Sequence, residues 1–526
     1  MTFSRTYRYL CLWLPAVLIA GFLFSFTYGD RSVGFTSDDA VYLLLADRYS
    51  PWINPDSPVP AFVSLQSHFP PLYPLALGLL GAGSANPAYA AAINTGFLLL
   101  AIIVAGQWAR RETGSDTAFA AMVITLSVLP GTLIFAQELW SEFLFMIFTY
   151  GVFALAVPAR PLRREWTAMA LLAALAALSR ATGIVLIAAV CTALIRHRPR
   201  QAPVYAAVCL LPLLPWYVSK TFYQENTGYQ DIFFTALNNL PLIDPVDFLA
   251  GKIRVLLDST LWLFSSVESG VLHQGYSTII ILIGLVFSFA GFLIRLRHMK
   301  VDAFFLLLYM PVMLIWPYDD VYFVSRFLYP LIPLLLFYAG TGINLTLRTA
   351  VSRRLVASFV LGSLLIVCFP STGQFIRRGY DTNMDMELLP YRRDRGWLLA
   401  ARKEEGMDQI RTNAFILKSL DRIAGDIPES ECIYGIQAPL IMLHTGRITG
   451  VLPPPEANDN EFNRQTRYCS YMLSLPTSDL EGSYPDYYPL QRIRENHYHV
   501  TPYYRDRSRN KALFVFRRNT DTIRSD

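Results

Sequence analysis

Asp38 and Asp39 stand side by side, Glu138 and Glu142 lie four residues apart, and Arg180 and Arg326 each adjoin a long apolar run. A carboxylate can take a proton from a hydroxyl, and a guanidinium carries paired N–H donors that match phosphate oxygens. The set is suited to a transfer in which a base activates a hydroxyl while cations stabilise a departing phosphate. No phosphate loop, nucleotide fingerprint or Cys/His metal cluster accompanies these residues. The spacing of Glu138 and Glu142 predicts both carboxylates on one side of a helix start. Plainer readings stand beside these. Asp38 and Asp39 could cap a helix, Glu138 could mark a membrane boundary, and the arginines could simply pair with Asp319, Asp320 or Glu142.

The elements that must position these groups are membrane spans. A chain of 526 residues that is 53% hydrophobic and only 16% charged is too apolar for an ordinary soluble protein. Apolar runs near 9–27, 88–108, 117–135, 140–158, 166–179, 182–195, 203–219, 275–294, 302–317, 327–343 and 355–370 predict about eleven transmembrane helices. The fifth and sixth, split at Arg180–Gly183, form a close hairpin. Threading the chain through them collects Arg5, Arg8, Arg110, Arg111, Arg160, Arg163, Arg164, Arg196, Arg198 and Arg200 on one side. Arg295, Arg297, Lys300, Arg348, Arg353 and Arg354 join them there. By the positive-inside bias that side is cytoplasmic, with the amino terminus inside and the first span an uncleaved anchor. Arg180 and Arg326 then fall outside, against the bias, and a phosphate at the outer boundary would give them a task.

Three segments face outward: 28–87, 220–274 and 371–526. The first two belong with the spans in a domain of residues 1–370, and the last forms a separate domain. In the first, Val41, Leu44, Leu45 and Tyr49 recur at helical spacing and predict a short interfacial helix headed by the acidic pair. After it, His68-Phe69-Pro70-Pro71-Leu72-Tyr73-Pro74 makes a rigid stretch that could wall a polar pocket, or a simple turn. Residues 246–266 resemble a second interfacial helix pair. In the last segment a helix over 406–425, a strand at Cys432–Tyr434, a helix at Pro439–Thr445 and a strand at Ala512–Arg517 predict a small α/β unit. Its tyrosine-rich stretch from Tyr468 to Tyr504 suits a covering or acceptor-binding role. Cys432 and Cys469 lie in the oxidising compartment and could form a disulfide, whereas Cys11, Cys191, Cys209 and Cys368 sit in or beside spans as packing residues.

At these residues the chain resembles polytopic glycosyltransferases of the GT-C fold, especially the branch of lipid A aminoarabinose transferase and the protein O-mannosyltransferases. The likeness runs through much of the membrane region. The family's acidic pair after the first span matches Asp38 and Asp39 in Ser37-Asp38-Asp39-Ala40-Val41-Tyr42. Its second outward acid matches Glu142, its basic residue in a small-residue turn matches Arg180 in Ser179-Arg180-Ala181-Thr182-Gly183, and its late arginine matches Arg326 in Ser325-Arg326-Phe327-Leu328-Tyr329-Pro330. Where the family has a basic residue before a proline pair, this chain has His68 and Phe69 before Pro70 and Pro71, and no lysine.

The resemblance implies an inverting transfer from a polyprenyl-phosphate-linked sugar to a hydroxyl. Asp38 would be the base, Asp39 would shape the site and Glu142 would complete the catalytic set. Arg180 and Arg326, with His68, would hold the donor phosphate. Glu138, Tyr73, Asp319, Asp320 and Tyr322 would line the substrate pocket. Asp38, Asp39 and Glu142 could accommodate a divalent cation, magnesium or manganese, as in some relatives. The implied setting is the periplasmic face of a bacterial inner membrane. There the partners are the donor lipid, membrane lipids and a glycolipid, lipopolysaccharide, cell-wall glycan or protein acceptor, with no nucleic acid. The lone glycosylation sequon, Asn344-Leu345-Thr346, falls on the cytoplasmic side, in keeping with a bacterial source. The alternatives are a lipid-linked glycan flippase or transporter, which would place polar groups at mid-membrane and often carry repeats, and an oligosaccharide ligase or polymerase.

Overall fold

A computed structural model describes residues 17–29, 37–52, 69–157, 163–223, 237–238, 244–265, 271–316, 320–346, 350–400, 402–435, 437–451, 458–475, 498–506 and 511–518. The described residues fall into two compact units. The first takes those of Met1–Tyr28, Ser67–Tyr73 and Ala92–Tyr380; the second takes those of Gly29–Gln66, Pro74–Ala91 and Asp381–Asp526. The described residues of the 28–87 segment, apart from Tyr28 and Phe69–Tyr73, thus group with the C-terminal residues rather than with the spans.

The first unit is helical. Pro87–Thr113, Gln274–Arg297, Val321–Thr346 and Leu355–Gly379 are four helices long and apolar enough to cross a membrane, as in a polytopic membrane protein. Shorter apolar helices occupy Val17–Thr27, Asp116–Val128, Ser141–Leu155, Ala181–Arg196, Ala202–Val218 and Val301–Ile315. Prolines set several breaks. Leu129 is extended (φ −63°, ψ 129°) because the ring of Pro130 disfavours helical backbone before it, so the run predicted at 117–135 becomes two helices, Asp116–Val128 and Pro130–Phe135. Pro330 sits in a 3-10 turn, Tyr329–Leu331, between the helices Val321–Leu328 and Ile332–Thr346. The expected helix pair at 246–266 is instead one helix, Pro245–Phe264, because Asp244 caps its start and nothing inside it breaks the ladder.

Close packing and a buried charge network at Arg295 help to hold this unit. Helices Val271–Arg297 and Ile332–Thr346 touch backbone to backbone: a Cβ on Gly291 would strike the Tyr338 carbonyl, and one on Gly342 the Phe287 carbonyl. Near the end of the first of these, Arg295 donates to both carboxylate oxygens of Glu112 at 2.9 Å, and to Asp302 at 2.9 and 2.5 Å. Tyr338 adds a 2.9 Å hydrogen bond to Asp302, so a single guanidinium ties four helices together.

The second unit carries the mixed sheet. Strands β1 (Ile433–Gly435), β2 (Thr449–Val451), β3 (Tyr471–Ser474), β4 (Tyr498–Asp506) and β5 (Lys511–Arg518) lie in the order β2-β1-β3-β5-β4. β1 is parallel to both β2 and β3, and β5 is antiparallel to β3 and β4. Cys432 and Cys469, just ahead of β1 and β3, are joined in a disulfide. The helix Lys403–Asp426 ends on the guanidinium of Arg447, which donates to Ala424 O at 2.6 Å and Ile427 O at 2.8 Å. The helix Ser37–Tyr49 packs on Ala438–Thr445. Asp39 through Asp47 are all buried, so this element is not the one-sided interfacial helix that Val41, Leu44, Leu45 and Tyr49 suggested. The sequence missed β2, β3 and β4, which are too short or too polar to show a clear alternation.

Candidate active site

In the first unit, three residues far apart in sequence meet at one carboxylate. Glu142 lies in the first turn of helix Ser141–Leu155 and is 1% exposed. Arg180 Nη1 stands 2.5 Å from Glu142 Oε1, and Arg326 Nε donates to the same oxygen. Both guanidiniums are buried. Arg180 heads the 3-10 turn Ala181–Gly183 in extended conformation (φ −150°, ψ 136°), at the break between helices Arg163–Ser179 and Ile184–His197. Arg326 lies in the last turn of helix Val321–Leu328, where the carbonyl ends of the helix favour a cation.

Aromatic rings complete the cage. Arg326 Cζ lies 3.9 Å from the ring centre of Trp140, and Arg180 Cζ lies 4.8 Å from that of Phe327. Trp140 stacks on Phe135 at 4.9 Å and meets Tyr322 edge-on at 5.8 Å, while Trp262 meets Tyr322 at 5.6 Å. Two buried cations meet at one carboxylate in a low-dielectric setting, where guanidinium groups interact strongly with an anion.

Glu138 does not share a helix face with Glu142. Trp140 is extended (φ −128°, ψ 129°) and acts as the N-cap, so Glu138 stays in the turn before the helix. Its carboxylate accepts the Tyr322 hydroxyl instead. Its carbonyl accepts from Asn94 Nδ2 at 2.6 Å, and Asn94 Oδ1 takes the Tyr73 hydroxyl at 2.7 Å. Tyr73 and Glu138 therefore support the turn that presents Glu142. Asp320 caps helix Val321–Leu328, accepting from Tyr322 N at 2.9 Å and Phe323 N at 3.0 Å. His68 and Asp319 lie outside the described residues.

The acidic pair belongs to the second unit. Asp38 and Asp39 occupy the first turn of helix Ser37–Tyr49, Asp39 1% exposed and Asp38 half-buried. Further along that helix, Asp47 accepts from Ser84 N at 2.9 Å, and burial raises its pKa above the usual carboxyl value despite that bond.

Asn94, Trp140 and Phe327 were not singled out by the sequence, although each left a trace. Asn94 is a polar residue in an apolar run, Trp140 stands between the two glutamates, and Phe327 follows Arg326 directly.

No family model and no curated protein matches the chain. Two crystal structures of ArnT from Cupriavidus metallidurans are similar to it, one bound to undecaprenyl phosphate and one in the apo state. Identity is 13% in both, the TM-scores are 0.52 and 0.53, and each match covers 98% of this chain and 98% of ArnT. The chain has the GT-C fold.

Within the GT-C fold, the residues at Glu142 do not suit a divalent cation. Its carboxylate already receives two guanidiniums, whose charge would repel a metal ion. Among the described residues no group of three or more His, Cys, Asp or Glu side chains converges as a metal site.

Proposed function

We propose that the chain is an inverting glycosyltransferase that moves a sugar from a polyprenyl-phosphate donor to a hydroxyl acceptor at the periplasmic face of a bacterial inner membrane. The observation that carries this reading is the pair of buried guanidiniums, Arg180 and Arg326, on one carboxylate. It is supported by a fold shared with a protein crystallised with undecaprenyl phosphate.

The chemistry follows from charge. The acceptor oxygen attacks the anomeric carbon as the bond from that carbon to the phosphate oxygen breaks, and the configuration inverts. The leaving phosphate keeps its electron pair, and Arg180 and Arg326 stabilise the developing charge, so no acid is needed to protonate it. Glu142 holds both arginines in position beforehand, so little reorganisation remains for the reaction. Asp38 takes the acceptor proton; this role rests on its place in the Ser37–Tyr42 motif.

Incubating membranes with a panel of labelled polyprenyl-phosphate sugars tests the reading. Asp38→Asn should abolish transfer while donor binding persists. Arg180→Ala and Arg326→Ala should each weaken donor binding by about 10- to 100-fold, the worth of a charge-assisted hydrogen bond. Normal donor affinity in both arginine variants would remove the phosphate assignment, and unchanged turnover in Asp38→Asn would remove the base.

A further inference from the structure

The turn between helices Pro130–Phe135 and Ser141–Leu155 is tightly held. Gln137 N donates to Ile134 O at 3.0 Å, Glu138 N to Phe135 O at 3.3 Å, and Trp140 N to Asn94 Oδ1 at 3.4 Å. Yet two side chains within it leave polar atoms unmet. Gln137 is 6% exposed, and among the described residues neither its Nε2 nor its Oε1 has a hydrogen-bond partner. Three positions on, the indole N–H of Trp140, 2% exposed, also lacks one.

Unmet buried polar groups are rare in native proteins, and each costs free energy that an apolar residue of the same shape would not. A leucine at 137 would serve the fold better. Other buried polar atoms among the described residues are also unmet, Trp108 Nε1 for one, but Gln137 has both of its side-chain polar atoms unmet and lies three positions from Trp140, which carries Arg326 on its ring face. Packing gives no reason for that coincidence, whereas a ligand does.

The unmet atoms identify the ligand class. They comprise N–H donors and one carbonyl acceptor, and none carries charge. A phosphate accepts but does not donate, and already has guanidiniums suited to it. A hydrocarbon tail needs neither. Sugar hydroxyls both donate and accept, and a side-chain amide beside an indole N–H matches them. We infer that Gln137, with Trp140 Nε1, binds hydroxyl groups of the donor's sugar and so reads sugar identity, separately from the arginines that hold the phosphate. The inference rests on the glycosyltransferase reading above and adds the specificity-determining residue that reading lacks. A bridging water would meet the same atoms and is the competing occupant.

The test measures binding of full-length protein in lipid nanodiscs to undecaprenyl phosphate and to the same lipid phosphate carrying mannose, glucose, galactose or an aminopentose. The quantity read is the affinity gained from the sugar over the bare lipid phosphate. Wild type should gain about tenfold or more with at least one sugar, as two or more neutral hydrogen bonds supply. Gln137→Leu should lose that gain, bind undecaprenyl phosphate as wild type does, and melt no lower. Gln137→Met repeats the comparison in a chain of closer shape if leucine impairs folding. A gain retained in both variants, as a water-filled turn would give, overturns the inference alone, as does a wild type that gains nothing from any sugar. A wild type that does not bind undecaprenyl phosphate at all overturns the reading beneath it.

Discussion

The guanidinium of Arg326 lies against the face of Trp140, 3.9 Å from the ring centre, while its Nε donates to Glu142. The N-cap and the first turn of one helix thus fix a cation carried at the end of another. The ring holds the guanidinium by its face and does not compete for its in-plane N–H groups.

Replacing the ring should therefore weaken donor binding without abolishing it. Trp140→Leu is expected to lower affinity for undecaprenyl phosphate by roughly 3- to 30-fold, the range of a partly desolvated cation–π contact, and Trp140→Phe by less. Titration of undecaprenyl phosphate against both variants measures this. Equal affinity in Trp140→Leu and wild type would show that the ring does not position the cation.

Glu142 is the common partner of two buried cations, so its loss should be felt in stability first. Glu142→Ala leaves Arg180 and Arg326 buried without their carboxylate and should cost about 3–5 kcal/mol, seen as a lower melting temperature. Donor lipid should recover part of that loss, because a phosphate restores a negative charge.

Arg295 gives the contrasting case. Arg295→Met leaves Glu112 and Asp302 buried without a cation and should destabilise by a comparable 3–5 kcal/mol. Here undecaprenyl phosphate should recover none of that loss beyond the stabilisation it gives wild type, since the network holds helices together and takes no part in donor binding. Thermal unfolding of each variant with and without the lipid separates the two clusters.

Asp394 should give the second unit a pH dependence of definite sign. It caps helix Arg395–Leu399, accepting from Gly396 N at 2.7 Å and from Asn413 Nδ2 at 2.7 Å. Burial still raises its pKa, so the folded chain keeps this proton to higher pH than the unfolded chain does. The contribution is fully present below the unfolded carboxyl value of about 3.9 and is lost as pH rises through the folded value. Asp47 acts in the same direction. Asp394→Asn should flatten the fall in melting temperature above about pH 4, and parallel curves for variant and wild type would refute the assignment.

The disulfide between Cys432 and Cys469 closes 37 residues of sequence and ties the entries of two neighbouring strands. Cys432→Ser with Cys469→Ser should cost about 2–4 kcal/mol through the freer unfolded chain. Chemical unfolding of the oxidised protein and the double variant checks this.

The sequence by itself determined the helical runs, the C-terminal α/β character and the candidacy of Glu142, Arg180 and Arg326. These rest on local signals: apolar length, periodicity, and charges beside hydrophobic spans. Helix Lys403–Asp426 and strand Lys511–Arg518 match the expected 406–425 and 512–517 closely for that reason. Only the tertiary structure decided which charges meet. Arg326 and Glu142 are 184 residues apart, and no local pattern distinguishes that pairing from one with Asp319 or Asp320. The same holds for Glu138 and Glu142, whose spacing of four would align them on a helix. An extended Trp140 sends one to Tyr322 and the other to the arginines, because helix starts are set by capping and packing as well as by periodicity. Gln137 was invisible for a related reason. A glutamine in a sequence carries no sign of whether its amide will be met, and only burial among fixed neighbours leaves it with two unmet atoms.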